Sequence, residues 1–334
     1  MNKVKSAVIG AGFFGQKHAR VYDQLSASEL LGVCDLDYGK AQKLASELNC
    51  EAYQRAEEVF GNPEIDVVNI CVPDDSHRRP FLDALKADKH VLIEKPLADT
   101  LADARELLQA SRGYQKKTMV GHLVRFDPRS IKARETISRG EIGDIIHVIS
   151  RRNSPRTGAQ HYAEHCELLT HSGVHDLDLI RWLVDSEYAS VYAKDRSGFL
   201  AAEGLEVRDS VLALFQFESG VIYNFENSWV LPENFPSILD AKVEIVGSEG
   251  SLTIDVFQQG LDFYSSAGVQ HPDLYHWPEL EGQVEGAIRR EIDHFVNCVL
   301  NDEKPHCSIE EGYRAVEAAV RTQQALSEGC EISF

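Results

Sequence analysis

From residue 4 to about 122, short apolar runs alternate with amphipathic stretches. The runs "VKSAVIG", "LLGVCD", "DVVNICV", "HVLIEK" and "TMVGH" read as strands, and 15–25, 38–48 and 101–111 between them carry helical spacing. This alternation predicts βαβ units around a parallel sheet. After Gly121 the pattern changes to one helical stretch at 128–139, another over "LLTHSGVHDLDLIRWL" (168–183), and then mostly strands. In "VIYNFENSW" the apolar Val221, Tyr223, Phe225 and Trp229 alternate with Asn224, Glu226 and Ser228, as in a sheet with one buried face. "DSVLALFQF" precedes it across Glu218-Ser219-Gly220, a hairpin signal. A second hairpin is expected in "AKVEIVGSEGSLTIDVF", and helices at 285–300 and 309–328. The expected class is α/β: a doubly wound parallel sheet over 1–122, then an α+β domain over 123–334 with a large, mainly antiparallel open sheet.

The chain has 334 residues with 43% hydrophobic content, which suits about two domains. Its 34 Lys plus Arg face 53 Asp plus Glu, a net charge of -19. Polyanions are therefore poor partners, and neither nucleic acid nor an acidic membrane surface is expected. A small molecule or another protein is. Seven cysteines without a Cys-x-x-Cys pair indicate neither a disulfide framework nor a zinc ribbon, and a cytoplasmic, reducing location is expected. The start, "MNKVK" then "SAVIGAGFFG", imitates a signal peptide, but "QKHARVYDQL" follows as a charged helical pattern without a cleavage site. No run of eighteen apolar residues occurs.

Gly10, Gly12 and Gly15 form G-x-G-x-x-G after a strand and at the opening of a helix. The first glycine permits a tight turn, the second lets the backbone approach a pyrophosphate, and the third allows close helix-to-strand packing. Asp35 follows at the end of the second strand, where a carboxylate accepts the adenosine ribose hydroxyls. It would repel a 2′-phosphate, and Leu36 and Asp37 supply no arginine to receive one. NAD is expected rather than NADP, with Lys40 the nearest cation to qualify that choice.

"CVPDDSHRRP" and "HVLIEKPLA" place polar residues at the C-terminal ends of strands, where open α/β sheets bind ligands. Lys95 follows Val91, Leu92 and Ile93 and is expected to point into that crevice, with Pro96 fixing the chain beyond it. The glycine fingerprint, "CVPDDSH", "EKP", "GHLVRFDP" and "GVHDLDLIRWL" occur in the order and spacing of the Gfo/Idh/MocA oxidoreductase family, which the sequence resembles over essentially its whole length. The resemblance implies a Rossmann domain followed by an α+β domain that binds substrate and assembles homodimers or homotetramers through its sheet. It places Pro73 and His77 beside the nicotinamide half of the cofactor, Glu94 at its ribose, and Lys95 between nicotinamide and substrate. Phe13, Phe14, Cys71 and His122, within the same motifs, are counted with the cofactor-binding residues. His175 matches the catalytic histidine, and Arg125 a position near the substrate cleft.

As a regular helix, 168–183 would put His171, His175, Asp178 and Trp182 on one face and Val174, Leu177 and Ile180 on another. Many family members carry aspartate where this chain has His171. A carboxylate there would favour imidazolium, whereas a second imidazole does not, so His175 is expected neutral and able to accept a proton. His161, His165, Cys166, His171 and His175 fall within fifteen residues, yet they match no zinc motif and no metal is expected. The expected reaction is hydride transfer to NAD from a secondary hydroxyl of a sugar, sugar nucleotide or inositol. His175 would be the base, Lys95 would stabilise the alkoxide, and His171 would orient His175 or contact a second hydroxyl. Arg151, Arg152 and Arg156 could meet an anionic substrate or pair with neighbouring acids. Tyr162 is counted on the substrate side, and Trp229 and Phe235 could form a stacking wall or an oligomer contact. A glycosidase that recycles its NAD internally and a non-catalytic ligand sensor remain as alternatives.

Overall fold

The computed structural model describes residues 3–162, 166–266 and 268–334. It contains two compact units, and neither is continuous in sequence. One comprises 1–126 and 275–313, the other 127–274 and 314–334.

The first unit is built on six parallel strands: β1 (Val4–Ile9), β2 (Ser28–Cys34), β3 (Glu51–Tyr53), β4 (Val67–Ile70), β5 (His90–Glu94) and β6 (Thr118–Gly121). Their order, β3-β2-β1-β4-β5-β6, reverses direction at β1/β4, the switch point where such sheets bind ligands. The central strands are almost entirely apolar, with Val8, Val33, Val68, Ile70, Leu92 and Ile93 buried, as a sheet covered on both faces requires. The five expected strands all form. The short edge strand β3 was not expected, because three residues carry no readable period.

Helix ends in both units follow from local side chains. Asp37 accepts from the Gly39 N–H to start Tyr38–Leu48, and Thr100 accepts from Asp103 to start Leu101–Ser111. In the second unit Asp127 caps Pro128–Ser138, with Pro128 in the first turn where its missing N–H costs nothing. Helix Ala287–Asn301 turns Ile288, Ile292, Phe295 and Val296 inward within the first unit, which explains why this late segment belongs with the N-terminal sheet.

The second unit holds a seven-stranded sheet made of β7 (Ile145–Pro155), β8 (Tyr188–Ser197), β9 (Arg208–Phe217), β10 (Ile222–Leu231), β11 (Asp240–Gly247), β12 (Ser251–Asp255) and the C-terminal Ile332–Ser333. All neighbours are antiparallel except β7 and β10. Both expected hairpins are present, β9/β10 and β11/β12. Gly220, at φ +89, makes the first turn in a conformation that a side chain would strain.

The alternation in β10 decides the place of Trp229. It is 1% exposed on the same face as Tyr223 and Phe225, and its Nε1 donates to the Arg208 carbonyl at 2.7 Å. Trp229 is a core residue, which corrects the expectation of a stacking wall: period two carries the buried face through to the strand end. No described helix is long and apolar enough to cross a membrane.

Candidate cofactor and active site

The glycine fingerprint forms the turn between β1 and helix Phe13–Gln24. Gly10 has φ +100, and a Cβ there would lie 2.3 Å from the Cys71 carbonyl oxygen. A Cβ on Gly15 would lie 1.7 Å from the Gly10 oxygen, whereas at Gly12 nothing stands within 4 Å. The first and third glycines are thus demanded by packing, and the second leaves open space over the turn. The helix has no side-chain N-cap, so its leading N–H groups are available to a phosphate. Asp35 is aimed at the same turn: its Oδ2 accepts from the Ala11 N–H at 2.7 Å and its Oδ1 from Asp37 at 2.8 Å. A carboxylate has about four lone-pair sites, so both oxygens retain capacity for ribose hydroxyls. These residues fit a dinucleotide.

Phe13 projects from the turn 57% exposed, edge-on to both Phe14 and Trp277, with the Lys17 ammonium 4.9 Å from its ring. Trp277 was not singled out in the sequence, because the chain returns to this turn only after some 260 residues of other structure.

Cys71 and Pro73 follow β4, and Glu94 and Lys95 end β5, two strands that pair in register Ile70↔Ile93. His77 ties their two loops together, with Nδ1 2.7 Å from the Pro96 carbonyl and Nε2 3.0 Å from that of Val72. Its ring is buried and committed to main chain, which fixes the two loops. The Lys95–Pro96 peptide bond is cis. Lys95 is buried at the strand end, and its N–H donates to Glu94 Oε2 at 3.2 Å. Glu94 Oε1 is turned inward, 3.0 Å from His18 Nε2, rather than free for a ribose. His122, just beyond β6, is wholly buried.

Arg125, expected near the substrate cleft, lies at the end of the first unit's N-terminal segment. It is buried, and its Nη1 donates to Glu311 Oε2 at 2.9 Å. The same Nη1 lies 3.4 Å from the His306 carbonyl oxygen.

In the second unit the row of histidines does not lie on one regular helix. Leu169–Gly173 is a π-helical turn, in which the Val174 N–H reaches back five residues to Leu169, and the α-helix proper is Val174–Val184. His171 therefore sits before the register in which His175 and Trp182 share a face. The i, i+4 relation expected from the sequence is broken by one added residue per turn. Val174, Leu177 and Ile180 are buried as expected, but Asp178 is buried too. Gly173 is held close: a Cβ there would meet Asn227 Oδ1 and Phe225 Cζ, each at 3.1 Å. Asn227 donates to the Arg152 carbonyl and to Ser172 Oγ, which pins the turn to β7 and β10. The Tyr162 ring lies 4.5 Å from that of His171. His165 lies outside the described residues.

The three arginines of "RRNSPRTGAQHY" are all paired. Arg151 reaches Asp240, Arg156 reaches Glu203, and Arg152 is buried against Asp176 by two bonds of 3.0 Å. Arg152 is thus a structural ion pair rather than a substrate anchor. Burial pushes the Asp176 carboxyl up, and the guanidinium opposes that shift. Asp176 went unremarked in the sequence because its partner is 24 residues away on another element.

Residues 4–122 match the model of an oxidoreductase family with an NAD-binding Rossmann fold, and 130–253 match the GFO/IDH/MocA C-terminal domain. Among similar proteins, the scyllo-inositol 2-dehydrogenase (NAD(+)) of Bacillus subtilis is 29% identical, over 91% of this chain and 88% of its own. The inositol 2-dehydrogenase/D-chiro-inositol 3-dehydrogenase of Lacticaseibacillus casei is 27% identical, over 90% and 86%. The crystal structure of scyllo-inositol dehydrogenase from Lactobacillus casei with bound NAD(H) and scyllo-inositol superposes with a TM-score of 0.86 at 21% identity, covering 99% of each chain.

Proposed function

Because the chain belongs to the Gfo/Idh/MocA oxidoreductase family, whose N-terminal domain binds NAD, we propose that it oxidises a secondary hydroxyl of a cyclitol or sugar, with inositol the first candidate. One observation carries this reading: the glycine turn, Asp35 and Lys95 all emerge from the C-terminal ends of strands in one sheet, around its switch point. A lysine buried at that edge is suited to a reacting oxygen in a way that a surface lysine is not.

NAD, when bound, supplies the hydride acceptor. The chain's own groups handle the proton and the developing charge. Lys95 Nζ donates to the substrate oxygen and stabilises it as the proton leaves. His175 is the base, and Tyr162 and His171, whose rings pack against one another at a tilt, contact the ring or its neighbouring hydroxyls. Asp35 selects NAD over NADP, since a 2′-phosphate would meet its carboxylate. The first unit is the NAD-binding domain and the second the substrate-binding and oligomerisation domain.

The sheet of the second unit supports the last assignment. Tyr192, Leu214, Asn224, Ile149 and Glu244 lie in one cross-strand row on its outer face, with Leu212 and Ile222 in the adjoining rows. Five apolar side chains exposed on one flat face suit a second copy of the chain.

The test is NADH formation with a panel of inositols, aldoses, sugar acids and UDP-sugars, using the parent and Lys95→Ala. The expected outcome is turnover of one polyol class by the parent, and a loss of at least about a thousandfold in kcat with NAD binding retained in the variant. A Lys95→Ala enzyme with near-parental kcat removes Lys95 from the mechanism. Release of nitrophenol from a glycoside without net NADH, or silence across the panel, rejects the dehydrogenase reading.

A further inference from the structure

Behind Lys95 the first unit encloses a polar cluster to which the proposed reaction assigns no task. His18 on helix Phe13–Gln24, Glu94 at the end of β5 and Glu291 on helix Ala287–Asn301 are buried, and their ligand-type atoms all lie within 4.8 Å of one another. Tyr22 and Cys71 are the other titratable groups facing it. Among the described residues, both Glu291 oxygens and the Tyr22 hydroxyl are buried without a hydrogen-bond partner, and His18 Nε2 and Glu94 Oε1 face one another in a close contact without hydrogen-bond alignment.

The protonation of His18 follows from its neighbours. Asn69 Nδ2 donates to the Leu92 carbonyl at 3.4 Å and to Cys71 Sγ at 3.2 Å, which fixes its amide so that Oδ1 faces His18 Nδ1 at 2.8 Å. Nδ1 must therefore carry a proton. On the other side Nε2 stands 3.0 Å from Glu94 Oε1, and two bare lone pairs would repel at that distance. A proton, on the ring or on the carboxyl, or a metal ion must lie between them.

A proton fits better than a metal. Tetrahedral zinc with ligand bonds of about 2.0–2.2 Å would hold its ligand atoms roughly 3.4 Å apart, more than the 3.0 Å between His18 Nε2 and Glu94 Oε1. Ionised, the two carboxylates and one imidazole would leave a net negative charge in a sealed interior, which is costly. Protonating His18 and Glu291 leaves one ion pair and no net charge.

We propose that His18 is a positioning residue for Lys95: an imidazolium strung between Asn69 and Glu94 fixes the carboxylate whose other oxygen holds the Lys95 main chain, while Glu291 stays a neutral acid. This rests on the catalytic reading of Lys95. Burial opposes the imidazolium, but Cys71 and Glu94 raise its pKa, and the balance lies well above the ordinary histidine value. Burial pushes the Cys71 thiol up, against the pull of His18. Burial, then the Glu94 charge, pushes the Glu291 carboxyl well above the ordinary carboxylate range, against the pull of His18.

The experiment is nitrogen NMR of histidine-labelled, NAD-loaded protein, together with kinetics of His18→Gln and metal analysis. The expected result is a His18 resonance that remains imidazolium above the ordinary value near 6.5, and that reverts in Glu94→Gln. His18→Gln is expected to lower kcat about tenfold while the Kd for NAD stays within about twofold. A neutral His18 at pH 7, a His18→Gln enzyme with parental kcat, or one equivalent of bound metal overturns the proposal. The NMR state of the parent is read without turnover and without any variant folding. Failure of Lys95 as a catalytic group shows separately, in Lys95→Ala.

Discussion

Arg152 grips Asp176 through two parallel hydrogen bonds, Nε to Oδ2 and Nη2 to Oδ1, each 3.0 Å long, with both side chains buried. Asp176 directly follows His175, so the pair anchors the helix at the residue assigned as base. Truncating Arg152 to alanine leaves a buried carboxylate without its partner, and a loss of about 3–5 kcal/mol is expected. The double variant Arg152→Met/Asp176→Leu removes both charges and is expected to recover more than half of that stability. It should still turn over slowly, because the helix start is no longer tied to β7. Urea unfolding of the two variants, with kcat measured on the folded double variant, checks both statements.

Gly15 offers a separate test of the phosphate turn. A Cβ placed 1.7 Å from the Gly10 oxygen has only backbone to push against. Gly15→Ala is expected to cost about 1–3 kcal/mol or more by overpacking and to weaken NAD binding by more than tenfold, because the turn itself must open. Gly12→Ala, where nothing lies within 4 Å, is expected to fold with parental stability while binding NAD less well, since its Cβ would occupy the space left for pyrophosphate. Thermal shifts with and without NAD separate the two effects.

Two half-buried histidines give the first unit an acid limit. Burial, then Lys116, lowers the pKa of His90 to about 4, and burial, then His306, lowers that of His294 to about 4. Both are neutral in the folded state and take up a proton more readily when unfolded. Their contribution is therefore complete above about pH 6.5 and is lost as pH falls toward 4. His90 Nδ1 accepts from the Lys117 N–H at 2.9 Å, a bond that protonation destroys. Tm measured across this window is expected to fall steadily, and less steeply in His90→Gln, whose amide oxygen can accept the same bond without titrating.

The outer face of the second sheet predicts assembly. Leu212 and Leu214 are 54% and 52% exposed on β9, beside Tyr192 and Ile222. Leu212→Glu/Leu214→Glu places two carboxylates there and is expected to shift the chain from oligomer to monomer in ultracentrifugation, without loss of secondary structure. A parent that sediments as a monomer at micromolar concentration would contradict the assembly proposal.

The hydrophobic period and the turn glycines determined much of this protein from sequence alone. They carried the five principal parallel strands, both hairpins, the phosphate turn, and Asp35 and Lys95 at strand ends, because each depends on residues within one or two turns of chain. What only tertiary structure decided involves partners far apart in sequence. Trp229 became core and Arg152 became an ion pair because a buried face or an acid on another element claimed them. The π-helical turn at Leu169–Gly173 broke the His171–His175 spacing because Asn227 and Phe225 pack tightly on Gly173. The grouping of His18, Glu94 and Glu291 needed three elements drawn from residues 13 to 301 to converge in one interior. A local pattern specifies which way a side chain faces; whether it meets solvent, a counter-charge or another ring depends on what the rest of the chain places opposite it.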